Sequence, residues 1–485
     1  MSATTPPALG PGTTVPRRRA LMGLLDADGW AWATTKAAAW LVVLILMLAY
    51  IPDRAYYFTV NRTLDLGLLV WSPINFCPPE NETLPCPAPA GAIVPWHPSP
   101  PELALPAPRT DGTVVTVGTK MLYIGGSDGS TASADVFVAE IVQTGNFDTW
   151  ALGPALPEPR SDAAVVAVSG TIYVLGGYDA VGTPMTTVFA LTPDPGTGAL
   201  PDWEILPELE LPEGRAEASG IVSIDGILLV GGVGPDDSVV NTTWKSKLTE
   251  LGTLEPWDVE APLVRPQAGA NGSLAGEFLW LWGGHDTSGP VGAVQRGTIG
   301  EEAPEGEPEN PDEGKVVEWG VSDSANLPVA RDDAAGWAAN GALYLVGGAD
   351  LSGQQAQTYW TVPTAEGDIT GWHTLEQNDL PVAASGGTAA ILGPNVVIVG
   401  GWTGDTVLDS SVRANTAPLT PFFQLGIAGM TVPALRIEGE IGQQLGYLNA
   451  AGAGTVNFIV LVVIGWAFAH KTEARAAIRR ILRRG

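Results

Sequence analysis

Short hydrophobic runs alternate with glycine- and proline-rich turns over most of the chain. One unit, residues 156–177, contains a Leu-Pro-x-x-Arg segment, a hydrophobic run, a Ser-Gly turn, a second hydrophobic run and a Gly-Gly pair. The two runs consist mainly of β-branched and aliphatic residues, which favour strands, and the short turn between them favours a hairpin. The pattern therefore predicts two buried inner strands at residues 163–168 and 171–175.

The Gly-Gly end of this unit recurs six times in phase. Successive pairs are 51, 55, 52, 64 and 53 residues apart, which matches the length of one four-stranded propeller blade. The period therefore predicts an all-β, six-bladed propeller over residues 92–418. We expect each pair to lie at a crowded strand end beside the next blade, where no side chain fits. The pairs begin at Gly125, Gly176, Gly231, Gly283, Gly347 and Gly400.

A tryptophan precedes each Leu-Pro-like segment. One large ring per blade suits the wedge between neighbouring sheets, so we expect these rings in the core between blades rather than at a stacked ligand. No equivalent tryptophan follows the last glycine pair, so residues 93–96 are predicted to supply the missing strand and close the ring. The tryptophans are Trp96, Trp150, Trp203, Trp257, Trp319 and Trp372.

These features resemble the kelch family of β-propellers. The resemblance is carried by the glycine pairs, the downstream tryptophans and the aromatic residues Tyr123, Tyr173 and Tyr344, which lie two or three positions before a pair. It covers about two thirds of the chain. It implies a propeller with binding sites on its loops, and it implies no particular reaction.

Long apolar segments flank the predicted propeller. Residues 30–51 would extend about 33 Å as a helix, which is enough to cross a bilayer, and Lys36 is their single charge. Residues 447–469 contain no charge. A cleaved signal peptide is the alternative for the first segment, but the basic residues lie well inside the chain and no small-residue cleavage site follows. We expect a transmembrane α-helix at each place.

The distribution of basic residues predicts how the chain is oriented across the membrane. Basic residues precede the first apolar segment and follow the second, so the cytoplasmic tails are residues 1–29 and 470–485 and the propeller is extracytoplasmic. The two-pass topology indicates a plasma membrane, in a bacterial cell envelope. The formal net charge is −28, and residues 1–36 and 470–485 carry ten basic and three acidic residues, which leaves about −35 for the exported part. This charge argues against nucleic-acid binding.

The predicted stalk, residues 52–91, contains both cysteines. Cys77 and Cys86 bracket a proline-rich loop, and a disulfide closing it is plausible in an oxidising compartment. A zinc ribbon is excluded because the sequence has no second cysteine pair or nearby histidine pair.

The predicted juxtamembrane segment, residues 419–446, is more apolar than a surface linker needs to be. We expect it to rest on membrane lipid, or alternatively to dock a membrane protein partner. The contact residues would be Phe422, Phe423, Leu425 and Ile427.

Four arginines occupy the same place in four repeats: Arg109, Arg160, Arg215 and Arg331. Equivalent positions of a propeller form a ring, so these arginines could make an anion-binding collar at one mouth. Kelch proteins that bind acidic peptides or sialic acid use arginines from several blades, so the resemblance implies a glycan or sialic-acid-like ligand. The alternative, which four copies in phase favour, is that each arginine pairs with its neighbouring carboxylate or caps a turn. Those neighbours are Asp111, Asp162, Glu217, Asp332 and Asp333.

The sequence contains few patterns that are typical of catalytic sites. The copper oxidases of kelch fold use a Tyr-Cys crosslink, but no cysteine lies in a repeat here, and the hydrolase and phosphate-loop motifs are absent. We therefore predict no metal, no cofactor and no enzymatic activity. The leading hypothesis is a binding or scaffolding subunit of a membrane protein complex, and the alternative is recognition or processing of an envelope glycan at the arginine-lined mouth.

Overall fold

The computed structural model describes residue 93 and residues 96–142, 146–300, 310–339, 341–392, 395–415, 426–427 and 430–431. Six antiparallel sheets follow one another along the chain, each built around four strands. The predicted all-β, six-bladed propeller is confirmed. The compact unit that contains it spans Ala88–Leu419.

Each blade runs from an inner strand at the axis to an outer strand, which is short in every blade except blade 4. Blade 1 contains Thr113–Val117, Lys120–Ile124, Val136–Val142 and Ala151–Leu152, with Asn146–Phe147 paired to the end of its third strand. Blade 2 contains Ala164–Val168, Thr171–Leu175, Val188–Leu191 and Glu204–Ile205, so the predicted inner hairpin is confirmed. Blade 3 contains Ser219–Ser223, Gly226–Val230, Thr243–Lys247 and Asp258–Val259.

The later blades keep the same order. Blade 4 contains Asn271–Ala275, Phe278–Trp282, Val294–Ile299 and Val316–Val321, and blade 5 contains Ala335–Ala339, Ala342–Val346, Thr358–Thr361 and His373–Thr374. Blade 6 contains Thr388–Leu392, Asn395–Val399, Ser411–Asn415 and, as its outer strand, His97–Pro98. Small hairpins join His285–Asp286 to Gly289–Pro290 and Ala349–Asp350 to Gly353–Gln354. Single 3-10 turns occupy Pro101–Leu103, Pro207–Leu209, Asp323–Ala325 and Glu376–Asn378.

The Gly-Gly pairs lie where successive blades touch, as predicted. A side chain on Gly176 would overlap the main-chain oxygen of Arg215 in the next blade, and one on Gly177 would lie 2.7 Å from the oxygen of Ser161. Both glycines also have positive φ angles, 61° and 87°. Glycine is therefore required here by space and by backbone conformation together.

Six hydrophobic clusters fill the six gaps between blades. Each cluster joins inner-strand residues of two neighbouring blades, and one of the predicted tryptophans packs in each. Several of the indoles also donate a hydrogen bond to the segment that enters the same blade, as Trp203 does to the oxygen of Pro154 at 2.9 Å. The prediction that these rings form the core between blades is confirmed.

The ring closes through the N-terminal end of the propeller. His97 and Pro98 pair with Arg413 and Val412, so the predicted closure is confirmed, with the strand itself directly after the predicted residues 93–96. Two residues make a weak strand, and burial of Ile93 (0% exposed) and Trp96 (5% exposed) between blades 5 and 6 strengthens it. The Trp96 indole donates to Thr358 Oγ1 at 3.1 Å and meets Trp337 edge-on at 6.3 Å.

Strand direction gives the propeller two different faces. The Gly-Gly turns and the Leu-Pro-x-x-Arg-type segments lie on one face, which we call the Gly-Gly face, because antiparallel strands return to the same side after every second strand. His97–Pro98 runs toward this face and Ser411–Asn415 runs away from it. Both ends of the propeller therefore leave from the opposite face.

Several predictions fall on other parts of the chain. Within the described ranges we find no helix with the length and apolar content of a bilayer-spanning segment. The predicted spans at residues 30–51 and 447–469, the stalk with Cys77 and Cys86, and the two tails all lie outside the described residues. Within the predicted juxtamembrane segment, Gly426–Ile427 and Met430–Thr431 form a small antiparallel hairpin.

Replacing Gly176 by alanine should lower stability more than replacing Gly118. Gly118 has a similar φ, 57°, with nothing within 4 Å of an added Cβ, so Gly118→Ala carries only the left-handed backbone cost of about 1 kcal/mol. Gly176→Ala adds a clash with Arg215 and should cost about 3 kcal/mol or more. Thermal unfolding of the two variants separates these costs, and equal losses would contradict the packing argument.

Trp96→Ala should destabilise the propeller by about 3–5 kcal/mol, because it empties the closing interface. Hydrogen exchange should quicken first in Ser411–Asn415, the strand that pairs with His97–Pro98. Trp203→Ala is the matched control, since it empties the interface between blades 1 and 2. Its exchange should instead quicken in those blades, and the same exchange pattern in both variants would argue against a closure held by Trp96.

Candidate functional site

Six residues, one from each blade, surround the axis on the Gly-Gly face. All six have left-handed φ angles, between 49° and 65°. Five main-chain N–H groups donate to the oxygen of the equivalent residue in the neighbouring blade at 2.8–3.0 Å, and Asp333 N–H donates to Asp332 Oδ1 at 3.0 Å. The five bonds between equivalent residues follow a circle around the axis that is open between Gly269 and Asp333, and we call this circle of six residues the inner ring. Its members are Asp111, Asp162, Glu217, Gly269, Asp333 and Gly386.

Acidic residues hold four of these six positions at a conformational cost. Gly269 and Gly386 occupy the same backbone geometry with no such cost, because glycine adopts positive φ freely. For other residues the left-handed region costs about 1–2 kcal/mol, less for aspartate, and Glu217 is an unusual residue there. Strained residues of this kind are concentrated at binding sites, which makes the inner ring the candidate functional site.

Neighbouring side chains turn into the space above the two glycines. A Cβ on Gly269 would lie 2.8 Å from Asp332 Oδ1, 3.4 Å from His285 Nδ1 and 3.7 Å from Asp333 Oδ1. A Cβ on Gly386 would overlap Thr110 Oγ1 and Asp111 Oδ1. The inner ring and Asp332 therefore make a mouth lined by five carboxyl groups, which we call the axial mouth.

A chain of hydrogen bonds and one ion-pair contact crosses one side of the axial mouth. Tyr178 Oη donates to Glu217 Oε1 at 2.8 Å. The His285 ring lies between two carboxylates, with Nε2 3.6 Å from Glu217 Oε2 and Nδ1 3.0 Å from Asp332 Oδ1. Tyr178 and His285 each lie directly after a Gly-Gly pair, and at this position both side chains contact carboxyl groups of the mouth.

Crowding in the mouth favours protonated groups. Burial raises the pKa of Asp111 to about 6, helped by the charges of Glu217 and Asp332 and opposed by the hydrogen bond from Thr110. Burial also raises the pKa of Asp162 and of Glu217, and Asp111 adds to the effect on Asp162. Loss of hydration around its carboxyl group raises the pKa of Asp333, and the negative charge of Asp332 adds to this effect, although Asp333 is exposed at the surface. The hydrogen bond to Asp332 raises the pKa of His285 to about 9.

This arrangement suits a cationic group. Carboxyl groups outnumber the single imidazolium at the mouth, and a cation entering it would relieve their mutual repulsion. Among the described residues, no group of three or more His, Cys, Asp or Glu side chains has a geometry that could hold a metal ion. The hydroxyl of Tyr178 and the imidazole of His285 add neutral and charged hydrogen-bonding groups beside the carboxylates.

The four predicted site arginines are buried rather than lining the mouth. Arg160, Arg215 and Arg331 are 1% exposed and Arg109 is 7% exposed. Each guanidinium lies over an aromatic ring of the third strand in its own blade, 4.2–5.7 Å from the ring centre. Each also bonds a carboxylate, and these partners are Asp135, Glu158, Glu213 and Asp350.

The structural alternative for the arginines is therefore supported, with different partners from those expected. The adjacent acidic residues of the inner ring point to the axis, while the arginines point into the blade. In blade 4 both the arginine and the aromatic ring beneath it are replaced by glutamines. Gln267 occupies the arginine position and Gln295 the aromatic position, and Gln295 Nε2 donates to Gln267 Oε1 at 2.7 Å. Ligand binding by Arg109, Arg160, Arg215 and Arg331 stays a prediction, and it would require a guanidinium to leave these partners.

The other predicted site residues do not meet the axial mouth. Phe422, Phe423 and Leu425 lie outside the described residues, as do Cys77 and Cys86, and Ile427 lies in the small hairpin of the second unit. Sequence reasoning missed Tyr178 and His285 as mouth residues. The available signal was their register, one position after a Gly-Gly pair, where the six residue types differ from blade to blade.

Comparison with known proteins agrees with this architecture. The family model described as the kelch motif matches residues 159–198. Kelch repeat protein M-T8 of Myxoma virus is 28% identical over 49% of this chain and 40% of its own length. Kelch-like protein terF of Aspergillus terreus is 29% identical over 37% of this chain and 39% of its own length. The chain thus spans about two fifths of the length of these relatives.

A solved structure, that of YjhT, covers 63% of this chain and 95% of its own, with 16% identity and a TM-score of 0.48. The horseshoe crab Limulus polyphemus contributes a further relative, β-scruin, which is 28% identical over 28% of this chain and 14% of its own length.

The axial mouth predicts that stability falls as pH rises from about 4 to about 9. An unfolded aspartate has a pKa of about 3.9 and an unfolded histidine one of about 6.5. Asp111 (about 6) and His285 (about 9) both bind protons more tightly in the folded state. The native state therefore holds more protons throughout this interval, and deprotonation destabilises it.

Thermal midpoints measured across this range test the sign. Asp111→Asn should flatten the fall between about pH 4 and 6, and His285→Gln should flatten it between about pH 6.5 and 9. Asparagine tolerates the left-handed backbone at position 111. A midpoint that rises with pH over the whole interval would contradict the protonation of the mouth.

Proposed function

Because the chain is a kelch-repeat β-propeller, we propose that it is a non-enzymatic binding protein that receives a partner at the axial mouth. The observation that carries the proposal is the inner ring, where four carboxylates are kept in a left-handed backbone that glycine occupies without cost in the other two blades. Loops from all six blades converge on this mouth, and loops on a rigid scaffold are where propellers bind their ligands.

The electrostatics support a binding role. A positive group entering the mouth would lower the raised pKa values of its carboxyl groups, displace their protons and gain attraction from several carboxylates at once. The excess negative charge of the chain would guide such a partner. The protonatable chain through Tyr178, Glu217, His285 and Asp332 can adjust its charge when such a group arrives.

We further propose that the protein acts in a membrane complex in the bacterial envelope, as a two-pass plasma membrane subunit with an extracytoplasmic propeller. The apolar segments at residues 30–51 and 447–469 and their basic flanks support this. The two ends of the propeller leave from the face opposite the axial mouth, so tethering would leave the mouth free for a partner. Phe422, Phe423, Leu425 and Ile427 would add a contact with lipid or a membrane protein.

Purification of the full-length chain in mild detergent, with mass spectrometry of what remains bound, tests the proposal. A partner should co-purify with the wild-type chain, and Asp162→Asn with Asp333→Asn should reduce its capture at least about tenfold. Glu250→Gln with Glu277→Gln is the matched control, because it removes two exposed carboxylates from the opposite face. A wild-type chain that purifies alone, or a mouth variant that keeps its partner, would count against the proposal.

A further inference from the structure

Exposed apolar side chains on the Gly-Gly face are most numerous in blades 5 and 6, whereas blade 2 and the segment that enters blade 4 carry one each, Val181 (85% exposed) and Val264 (50% exposed). Leu351 is 92% exposed, Val382 56%, Val329 44% and Trp402 40%. We call these four residues the apolar sector. At the positions that match Val329 and Val382, blades 2 and 3 carry Glu158 and Glu213, which bond to buried arginines. Blades 5 and 6 therefore carry most of the exposed apolar side chains of this face, and blades 2 and 3 carry acidic side chains at two matching positions.

Main-chain hydrogen bonds link the segments that carry the apolar sector. The segment that carries Val329 runs into Asp332, whose N–H donates to Ala349 O at 2.9 Å beside Leu351. The segment that carries Val382 lies against the same blade-5 loop, since Ala384 N–H donates to Gln355 O at 3.2 Å. Ser385 N–H then donates to Trp402 O at 2.9 Å. Four successive segments thus place the four side chains in order.

Each end of the apolar sector is linked through the main chain to residues of the axial mouth. Val329 is followed closely by Asp332 and Asp333 in the same segment. At the other end, Ser385 pairs with Trp402, and the next residue, Gly386, accepts a bond from Asp111 N–H at 3.0 Å. The 40%-exposed Trp402 indole offers a ring face to a cation.

We propose that the apolar sector and the axial mouth together bind one protein segment that carries a lysine or arginine beside aliphatic or aromatic side chains. The proposal rests on the proposed function and names the chemistry of its partner. The positive group enters the axial mouth, and the apolar side chains cover Leu351, Val382 and Val329. Trp402 lies at the boundary, because it pairs with Ser385 next to Gly386 of the inner ring.

Charge and exposed apolar area together select this occupant. An acidic segment would be repelled by the mouth and by the excess negative charge of the chain. A small polycation would satisfy the carboxylates and leave the apolar sector exposed to water. An anionic lipid surface would meet the same repulsion. A segment with both properties covers an apolar centre with a charged neighbour, which is the usual composition of a protein interface.

Fluorescence anisotropy with the full-length chain and short labelled peptides tests this chemistry. The probe has lysines beside leucines, one matched peptide has glutamates in place of the lysines, and the other has serines in place of the leucines. The Lys/Leu peptide should bind at least about tenfold tighter than either matched peptide, and its binding should weaken as ionic strength rises. Equal binding of the Lys/Leu and Glu/Leu peptides, or of the Lys/Leu and Lys/Ser peptides, would overturn the proposal.

Surface variants localise the binding. Leu351→Ser with Val382→Ser should reduce the affinity for the Lys/Leu peptide to that of the Lys/Ser peptide, and these exposed substitutions should leave the fold intact. Val181→Ser is the matched control, because Val181 is 85% exposed on the corresponding loop of blade 2. An equal loss of affinity for the Lys/Leu peptide from Val181→Ser would show that the apolar sector does not bind the peptide specifically, and it would overturn the proposal.

Co-purification of the partner distinguishes this inference from the proposed function, which requires only that a partner binds at the axial mouth. If the mouth variant Asp162→Asn with Asp333→Asn loses the co-purified partner while the Lys/Leu peptide shows no preference, binding at the mouth stands and the basic and apolar chemistry is wrong. If the peptide preference holds and Leu351→Ser with Val382→Ser also loses the partner, both conclusions are supported.

Discussion

The propeller depends on one hydrogen bond that recurs between every pair of neighbouring blades. The N–H of the second glycine in each Gly-Gly pair donates to the main-chain oxygen at the arginine position of the next blade at 2.7–2.9 Å, including from Gly401 to Arg109 across the closure. The bond sets how closely the blades approach. A side chain on the first glycine would strike the same oxygen in most blades, so the spacing and the glycines require each other.

This bond also places the functional residues. It fixes the main chain at the arginine position, so the side chain at that position turns into the blade and stacks on the third strand. Two residues later the chain reaches the inner ring, where the left-handed backbone turns a carboxylate to the axis. One short segment therefore supplies a structural cation and a mouth carboxylate, for example Arg160 and Asp162. Local backbone geometry separates their roles although they are almost adjacent in sequence.

Periodicity predicted the parts of the structure that depend on spacing. The six blades, the inner hairpin of blade 2, the crowded glycines, the tryptophans between blades and the N-terminal closure all follow from positions along the chain. The partners of the arginines do not, because sequence adjacency gives no side-chain direction. Arg160 was expected to pair with a neighbour such as Asp162, and it bonds Glu158 and lies over Phe189. The mouth residues Tyr178 and His285, and Trp402 of the apolar sector, were missed because the position they share after the Gly-Gly pair carries a different residue type in each blade.

Residues that depart from the repeat make the axial mouth asymmetric. A propeller with six identical blades would present the same surface in six orientations, and a bound partner would have no preferred one. Gly269 and Gly386 interrupt the inner ring, His285 enters beside the first of them, and Trp402 lies beside the second. The apolar sector then occupies one side of the face and Glu158 and Glu213 the other. A rigid scaffold built by repetition can thus hold a partner in one orientation, because the bonds that fix the blades leave the side chains at the mouth free to differ.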